Sequence, residues 1–205
     1  NEIAKEYGLE SLKSDLDIFN GDYNLMSDSM ELFEEFSELP PNYSFCGPLF
    51  NYEQITLPIC VKNYKKSSNR KIFISMGSSG EKKIFLKLLE LLIHIDADIF
   101  ISTTSIFEQN DILDFPNNFY FAKAFPHKEM AEWVDLSIIH GGQGTVYTTI
   151  LGGKPFIGIP MFSEQQYNLE NAKKLREIVL PYYKEDKNTS TTAVSNILEY
   201  FIKKN

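Results

Sequence analysis

The sequence has few of the features that mark secreted, membrane or nucleic-acid-binding proteins. Its two cysteines, Cys46 and Cys60, are too few for a disulfide scaffold. Charged residues interrupt the most apolar region, residues 84–102, so no run of about eighteen apolar residues indicates a membrane span. A formal net charge of -8 disfavours nonspecific electrostatic binding to the phosphate backbone of a nucleic acid. We therefore expect a cytoplasmic protein without a membrane span or a nucleic-acid partner, in which any phosphate is bound locally.

The composition suggests two parts of unequal size. The chain has 205 residues, 43% of them hydrophobic, enough for one core with an appendage. Residues 1–50 are acidic and aromatic, with one strand candidate at residues 23–27 and a proline pair that excludes regular helix. We interpret residues 1–50 as the end of one domain plus a linker, and residues 51–205 as a second domain. Because the first residue is Asn1, we expect a piece of a longer protein.

Short apolar runs alternate with helical patterns in the second part. This alternation predicts an α/β, Rossmann-like fold, a parallel sheet with helices on both faces. The predicted strands are residues 71–76, 98–102, 119–122, 136–140 and 155–160. Helical spacing of apolar residues is clearest at Phe85, Leu88, Leu89 and Leu92, and again at Val194, Ile197, Leu198 and Phe201.

Small and polar residues follow these strands, notably "GSSG" after the first and "HGGQGT" after the fourth. Ligands of such sheets bind beyond the carboxyl ends of the strands, so we expect a polyanionic or sugar-like ligand there. Glycines allow a close approach of the backbone, and a helix that starts near Gly144 offers unpaired N–H groups to a phosphate. His140 and Thr145 would add further donors to a diphosphate. The alternative is a tight strand-to-helix turn with an incidental histidine.

A second polar motif, "FSEQQYN", follows the fifth strand. Ser163 and Gln166 have the spacing of a capping box, which places Glu164 and Gln165 in the first turn of a helix. A carboxylate beside an amide is suited to form hydrogen bonds with two adjacent hydroxyl groups of a sugar. Alternatively, Glu164 only stabilises the positive end of the helix dipole.

Together these motifs resemble those of a known enzyme superfamily. The stretch "HGGQGTVYTTILGGKPFIGIPMFSEQQYNLENA" is similar to the donor-binding motif of GT-B fold nucleotide-sugar glycosyltransferases, the superfamily of UDP-glucuronosyltransferases and of antibiotic and macrolide glycosyltransferases. Weaker similarities are "SFCGPLF" to the interdomain linker, "ISMGSSG" to the first loop of the C-terminal domain and "FPHKEM" to the loop beneath the base. The matching positions are His140, Gly141, Gly142, Gly144, Thr145, the turn at residues 153–155, Pro160, Glu164, Gln165 and Asn168.

The resemblance implies a role for each of these positions. The donor would be a UDP-sugar or dTDP-sugar, bound without a metal or other cofactor. Its diphosphate would be held by His140, Gly142, Gln143, Gly144 and Thr145, with Ser78 reaching the phosphates or the acceptor side. Glu164 and Gln165 would read hydroxyls of the sugar, and the backbone near Phe125 would meet the base. Ala124 stands where many relatives carry a larger residue, so Phe125, Phe121 or Trp133 would stack on the base instead, unless they belong to the core.

The implied function is that of the donor-binding half of an inverting glycosyltransferase that transfers a hexose to an acceptor hydroxyl. No catalytic base is predicted in this chain, because neither His94 nor His127 resembles the family's base, which belongs to an N-terminal domain. That domain would also bind the acceptor, a small molecule or lipid, while His140 would stabilise the leaving diphosphate. The alternatives are a free-standing donor-binding subunit of a two-protein enzyme, and a UDP-sugar epimerase or hydrolase.

Overall fold

The computed structural model describes residues 2–36, 38–49, 55–59, 61, 68–78, 81–104, 107, 111, 114–175 and 179–181. The chain divides into two compact units, Asn1–Leu49 and Phe50–Asn205. Across the residues just given, no helix is long and apolar enough to cross a membrane.

The first unit contains a small parallel sheet. Strand β1 (Asn24–Met26), predicted at residues 23–27, pairs in parallel with β2 (Tyr43–Phe45), which the sequence did not predict. Leu25 is 73% exposed although it lies within β1, so the face of this sheet that carries Leu25 is largely exposed to solvent. The described residues of the unit also form helix α1 (Glu2–Glu6) and short 3-10 helices at Asp15–Phe19, Met30–Leu32 and Glu34–Phe36.

A six-stranded parallel sheet forms the second unit. In chain order its strands are β3 (Lys71–Ser75), β4 (Asp98–Ser102), β5 (Phe119–Ala122), β6 (Leu136–Ile139), β7 (Phe156–Gly158) and β8 (Val179–Pro181). They lie side by side in the order β5-β4-β3-β6-β7-β8, and every pair is parallel. All five predicted strands are confirmed. The edge strand β8 was not predicted, since three residues that end in proline give almost no periodic signal.

Among the described residues of this unit, four longer helices follow β3, β5, β6 and β7: α2 (Lys82–Leu92), α3 (His127–Trp133), α4 (Gln143–Gly152) and α5 (Ser163–Leu175). The apolar face predicted for α2 is confirmed, because all four of its predicted residues are buried. The second predicted helical pattern, at residues 194–201, lies outside the described residues.

The core has two layers because successive strand residues point to opposite faces of the sheet. In β3, Ile72 and Ile74 belong to the layer that α2 covers, whereas Phe73 packs in the other layer with Met130 of α3. The same alternation of isoleucine and phenylalanine recurs in β4 at Ile99, Phe100 and Ile101.

The order of the strands reverses between β3 and β6. The chain adds β4 and β5 on one side of β3, then returns to add β6 on the other side. After β3 it continues into α2 on one face, and after β6 into α4, which packs on α3 at the other face. The α3–α4 contact is so close that a Cβ on Gly152 would lie 2.7 Å from Ala131. Ligands of open α/β sheets bind at such a reversal of strand order.

Candidate functional site

His140 lies at this reversal of strand order, directly after β6. Its backbone N–H donates to the carbonyl oxygen of Ser75 at 3.3 Å, and its ring Nδ1 lies 3.2 Å from the same oxygen. Because Ser75 is the last residue of β3, both contacts join the carboxyl ends of the two central strands. The histidine that the sequence singled out is therefore anchored at the middle of the rim.

Two glycines make room for the His140 ring. A Cβ added to Gly77 would lie 2.8 Å from Nε2, and one added to Gly142 would lie 2.5 Å from the same atom. Both distances are shorter than any ordinary van der Waals contact. The glycines after β3 and β6 thus form the two sides of a slot that holds the imidazole, and Nε2 is the ring atom that faces them.

A second histidine, His127, lies close to the first and was not assigned a role from the sequence. Its Nε2 is 3.2 Å from Ser75 Oγ, and its ring meets Phe73 edge-on at a centroid distance of 5.3 Å. Burial and the charge of His140 lower the pKa of His127 to about 4. Burial also lowers the pKa of His140, although the bond to Ser75 and the carboxylate of Glu164 oppose that shift. Both rings are therefore neutral at pH 7 in the free protein.

The next residues begin α4 at this rim. Gly142 is the N-cap with extended φ and ψ of -61° and 141°, so the predicted helix start near Gly144 is confirmed within one residue. Gln143, Gly144 and Thr145 form the first turn, whose backbone N–H groups point out of the N-terminal end of the helix. A Cβ on Gly144 would meet no atom within 4 Å. This open space beside the helix N-terminus is where the sequence predicts a diphosphate.

Glu164 reaches this rim from the first turn of α5. The Asn168 side-chain Nδ2 donates to Glu164 Oε1 at 2.5 Å and to the carbonyl oxygen of Gly141 at 3.0 Å. Asn168 therefore links the exposed carboxylate to the glycine loop after β6. The motif contains this asparagine, but only the structure shows that it positions Glu164.

Gln165 does not share the exposure of Glu164. Its side chain is 2% exposed, and its Oε1 accepts a hydrogen bond from the Met161 N–H at 2.9 Å. The Met161 sulfur in turn accepts a bond from the Glu81 N–H at the start of α2. In this arrangement the Gln165 amide fixes the turn after β7. For Gln165 Oε1 to accept a hydrogen bond from a sugar hydroxyl instead, as predicted, its bond with the Met161 N–H would have to break.

The predicted capping box is wrong. Helix α5 begins at Ser163 itself, and the Gln166 N–H donates to the Phe162 carbonyl oxygen at 3.1 Å. The Gln166 side chain pairs with Glu170 further along the helix. Ser163 is thus the first helical residue, because the turn held by Gln165 brings Phe162 into the capping position.

Ser78 follows Gly77 and is exposed at the same rim. Thr104 Oγ1 lies 3.1 Å from the carbonyl oxygen of Gly77, in the loop that carries Ser78, and 2.8 Å from the carbonyl oxygen of Thr103, so the two acceptors share one hydroxyl hydrogen. Thr104 has φ of 49°, a left-handed conformation that is rare for a branched side chain. Its place in the polar "TTS" after β4 is the signal that could have pointed to this residue.

The aromatic candidates for stacking on a base lie in or against the core. Phe125 is fully buried and meets Phe73 and Phe100 edge-on at 5.9 and 6.2 Å. Trp133 and Phe121 are partly buried against the two core layers. The alternative that these side chains belong to the core is therefore correct, because each packs on aromatic neighbours in the sheet. Only the backbone near Phe125 remains a candidate to meet a base.

Paired acids occur twice as Asp-x-Asp, at residues 15–17 and 96–98. Asp17 accepts hydrogen bonds from the backbone of Lys13 and Ser14 in the first unit, and Asp98 opens β4 at the opposite end of the strand. No group of three or more metal-ligating side chains occurs among the residues that the structure describes. Binding without a metal remains a prediction.

Comparison with known families agrees with this geometry. A family model described as the glycosyltransferase family 28 C-terminal domain matches residues 60–205. The chain belongs to this family. As a family 28 C-terminal domain it is 28% identical over 172 residues to a PGL/p-HBAD biosynthesis glycosyltransferase of Mycobacterium tuberculosis (strain ATCC 25177 / H37Ra). The alignment covers 83% of this chain and 39% of that relative, so the chain spans well under half of the relative's length.

Solved structures show the same architecture for this family 28 domain. It superposes on the glycotransferase of kitacinnamycin with a TM-score of 0.72 and 14% identity, covering 96% of this chain and 51% of that one. The spinosyn rhamnosyltransferase SpnG gives a TM-score of 0.69 and 16% identity, covering 98% of this chain and 52% of that one. The predicted α/β, Rossmann-like fold, one half of a GT-B architecture, is confirmed.

Proposed function

We propose that this chain is the donor-binding half of an inverting glycosyltransferase, which uses a UDP-sugar or dTDP-sugar to transfer a hexose to an acceptor hydroxyl. The observation that carries the proposal is the position of His140, held between Gly77 and Gly142 beside the N-terminus of α4. An imidazole and a helix N-terminus at a reversal of strand order are suited to a diphosphate.

The same groups account for the chemistry. When the glycosidic bond to the diphosphate breaks, negative charge grows on the leaving phosphate oxygen. N–H groups fixed in advance at the start of α4 stabilise that charge more than they stabilise the ground state, which lowers the barrier. The ring of His140 adds a donor at the same rim. This chain thus supplies leaving-group stabilisation.

Glu164 is suited to accept hydrogen bonds from the donor sugar. Its carboxylate is exposed at the rim, and Asn168 fixes it relative to the loop that would hold the diphosphate. A sugar joined to that diphosphate lies within a few ångströms of it, so hydroxyls of the sugar reach Glu164. The backbone near Phe125 would meet the uracil or thymine base.

The acceptor and the catalytic base are assigned to a domain outside this chain. His94 is exposed beyond the end of α2, and the low pKa of His127 leaves it a poor base. The two-stranded parallel sheet of the first unit supports this division, because an isolated pair of strands is marginally stable and parallel sheets are normally covered on both faces.

Calorimetric titration of this chain with UDP-glucose, dTDP-glucose and GDP-mannose tests the proposal. We expect selective binding of a uridine or thymidine donor, and loss of at least tenfold in affinity for His140→Ala, since hydrogen bonds to charged groups contribute about 1.5–3 kcal/mol. Equal affinity of the wild type and His140→Ala for every nucleotide would contradict the proposed site. Release of free UDP or of an epimerised sugar without any acceptor would instead indicate a hydrolase or an epimerase.

A further inference from the structure

The hydrogen bond between His140 and Ser75 fixes which ring nitrogen carries the proton. The partner of Nδ1 is the Ser75 carbonyl oxygen at 3.2 Å, and a carbonyl oxygen only accepts. Nδ1 must therefore be the protonated nitrogen of the neutral ring. A neutral imidazole has one N–H group, so Nε2 carries a lone pair instead of a hydrogen.

Nε2 is also the ring atom that faces the glycines after β3 and β6. The diphosphate of a nucleotide sugar has oxygens that only accept hydrogen bonds, and they repel a nitrogen lone pair. A neutral His140 in this geometry therefore has nothing to donate where the diphosphate would lie. It becomes a donor there only by gaining a proton on Nε2, which also gives it a positive charge.

We propose that binding of the nucleotide-sugar donor takes up one proton at Nε2 of His140, so that the imidazolium, anchored through Nδ1 on Ser75, holds the diphosphate. This inference rests on the proposed function. The inference goes beyond the proposed function because it specifies the charge state in which His140 binds the diphosphate. It also predicts a proton stoichiometry that a neutral imidazole would not produce.

The surroundings of His140 favour this linkage. Burial lowers its pKa in the free protein, so the ring is neutral near pH 7, and the dianionic diphosphate would raise the pKa on binding. Glu164 on α5 and the Ser75 carbonyl of β3 both favour the charged ring. His127, at the start of α3, keeps a pKa of about 4, partly because His140 is near, so it does not take up a second proton.

The sign of the pH dependence follows from these shifts. The affinity for the nucleotide-sugar donor is highest, and independent of pH, below the pKa of His140 in the free protein, where the ring is already charged. Above that value, each pH unit lowers affinity by about tenfold, because one proton must be taken up for each ligand bound. The decline ends at the higher pKa of the bound state.

Calorimetry with UDP-glucose measures the proton directly. Both phosphates of UDP-glucose are esterified and remain ionised near neutral pH, so any proton taken up belongs to the protein. The apparent enthalpy is measured at pH 7.5 in buffers with different ionisation enthalpies, and its slope gives the number of protons. We expect a slope close to one proton, with affinity that decreases from pH 6.5 to 8.5.

Two variants assign the proton to one residue. In His140→Gln the amide Nε2 donates without titrating, so UDP-glucose should bind more weakly, with a slope near zero and no pH dependence. His94→Gln removes an exposed histidine of the same unit and should keep the wild-type slope. A reduced slope in His94→Gln would overturn the assignment to His140.

The outcomes separate this inference from the proposed function. Binding of UDP-glucose with a slope near zero in the wild type would overturn the proton uptake and leave the donor-binding role in place. Absence of binding by both UDP-glucose and dTDP-glucose would overturn the proposed function, and the proton uptake with it.

Discussion

Substitution of Gly142 by alanine tests the slot that holds His140. The added Cβ would lie 2.5 Å from Nε2, whereas ordinary contacts begin at 3.4 Å. The ring must therefore move by about 1 Å, a shift that the packed site resists. The Nδ1 contact with Ser75 is 3.2 Å long, so a shift of that size disturbs its geometry.

The cost in stability has two separable parts. Forcing a side chain into an occupied site and weakening one hydrogen bond together cost about 1–3 kcal/mol. Alanine is also a poorer N-cap than glycine, which adds roughly 0.5–1 kcal/mol. The φ and ψ of Gly142 are open to alanine, so no backbone strain contributes. At roughly 2–4 °C per kcal/mol for a chain of this size, the total lowers Tm by several degrees.

A double-mutant cycle with His140→Ala isolates the steric part. Without the imidazole the new methyl group has space, so Gly142→Ala should then cost only its N-cap contribution. Urea unfolding of the wild type, both single variants and the double variant should give a coupling energy of about 1–3 kcal/mol, because the N-cap contribution cancels. Gly21→Ala, where the nearest atom would be 3.4 Å away, controls for glycine replacement and should change stability by less than about 0.5 kcal/mol.

Two results would refute this reasoning. A coupling energy near zero would mean that the His140 ring does not occupy the slot beside Gly142. Wild-type affinity of Gly142→Ala for UDP-glucose, despite a displaced ring, would mean that the position of the imidazole has no part in donor binding.

Two further predictions concern residues that hold the rim in place. Gln165→Ala removes the acceptor of the Met161 N–H and should lower the free energy of unfolding by about 1–3 kcal/mol, with partial recovery in Gln165→Glu; unchanged stability together with a reduced preference for UDP-glucose over UDP would point to a sugar contact instead. Thr104→Val keeps the positive φ but removes the hydroxyl that donates to the Gly77 and Thr103 carbonyl oxygens, so it should lower the free energy of unfolding in urea by about 1 kcal/mol and weaken binding of UDP-glucose, whereas Thr104→Ser should match the wild type in both assays. Equal losses in the valine and serine variants would show that the hydroxyl does not position the loop.

Local pattern predicted most of the second unit because its elements are regular. Strands β3 to β7 follow apolar runs, and the buried face of α2 follows helical spacing, so each could be located without knowledge of its neighbours. The glycine loop after β6 was predicted to start a helix, and it does. Elements with weak signals were missed, such as β2 and β8, which have three residues each.

The resemblance to GT-B glycosyltransferases correctly identified the family, because the motif from His140 onward is long and ordered. Spacing along the chain also placed His140 and Glu164 at the same rim, since all the parallel strands end there. What spacing cannot give is the direction of a side chain relative to another element. Gln165 follows Glu164 in the sequence, yet the turn after β7 buries one and leaves the other exposed.

Only the tertiary structure decided how the site is held together. Ser75, His127 and His140 come from three separate segments, and no periodicity indicates that the carbonyl of the first anchors the ring of the third. The burial of Phe125 likewise depends on neighbours contributed by β3 and β4. The sequence by itself determined the elements and the rim, because these depend on residues close along the chain. The protonation and orientation of the side chains at that rim depend on contacts between distant residues, which form only when the sheet and its helices pack.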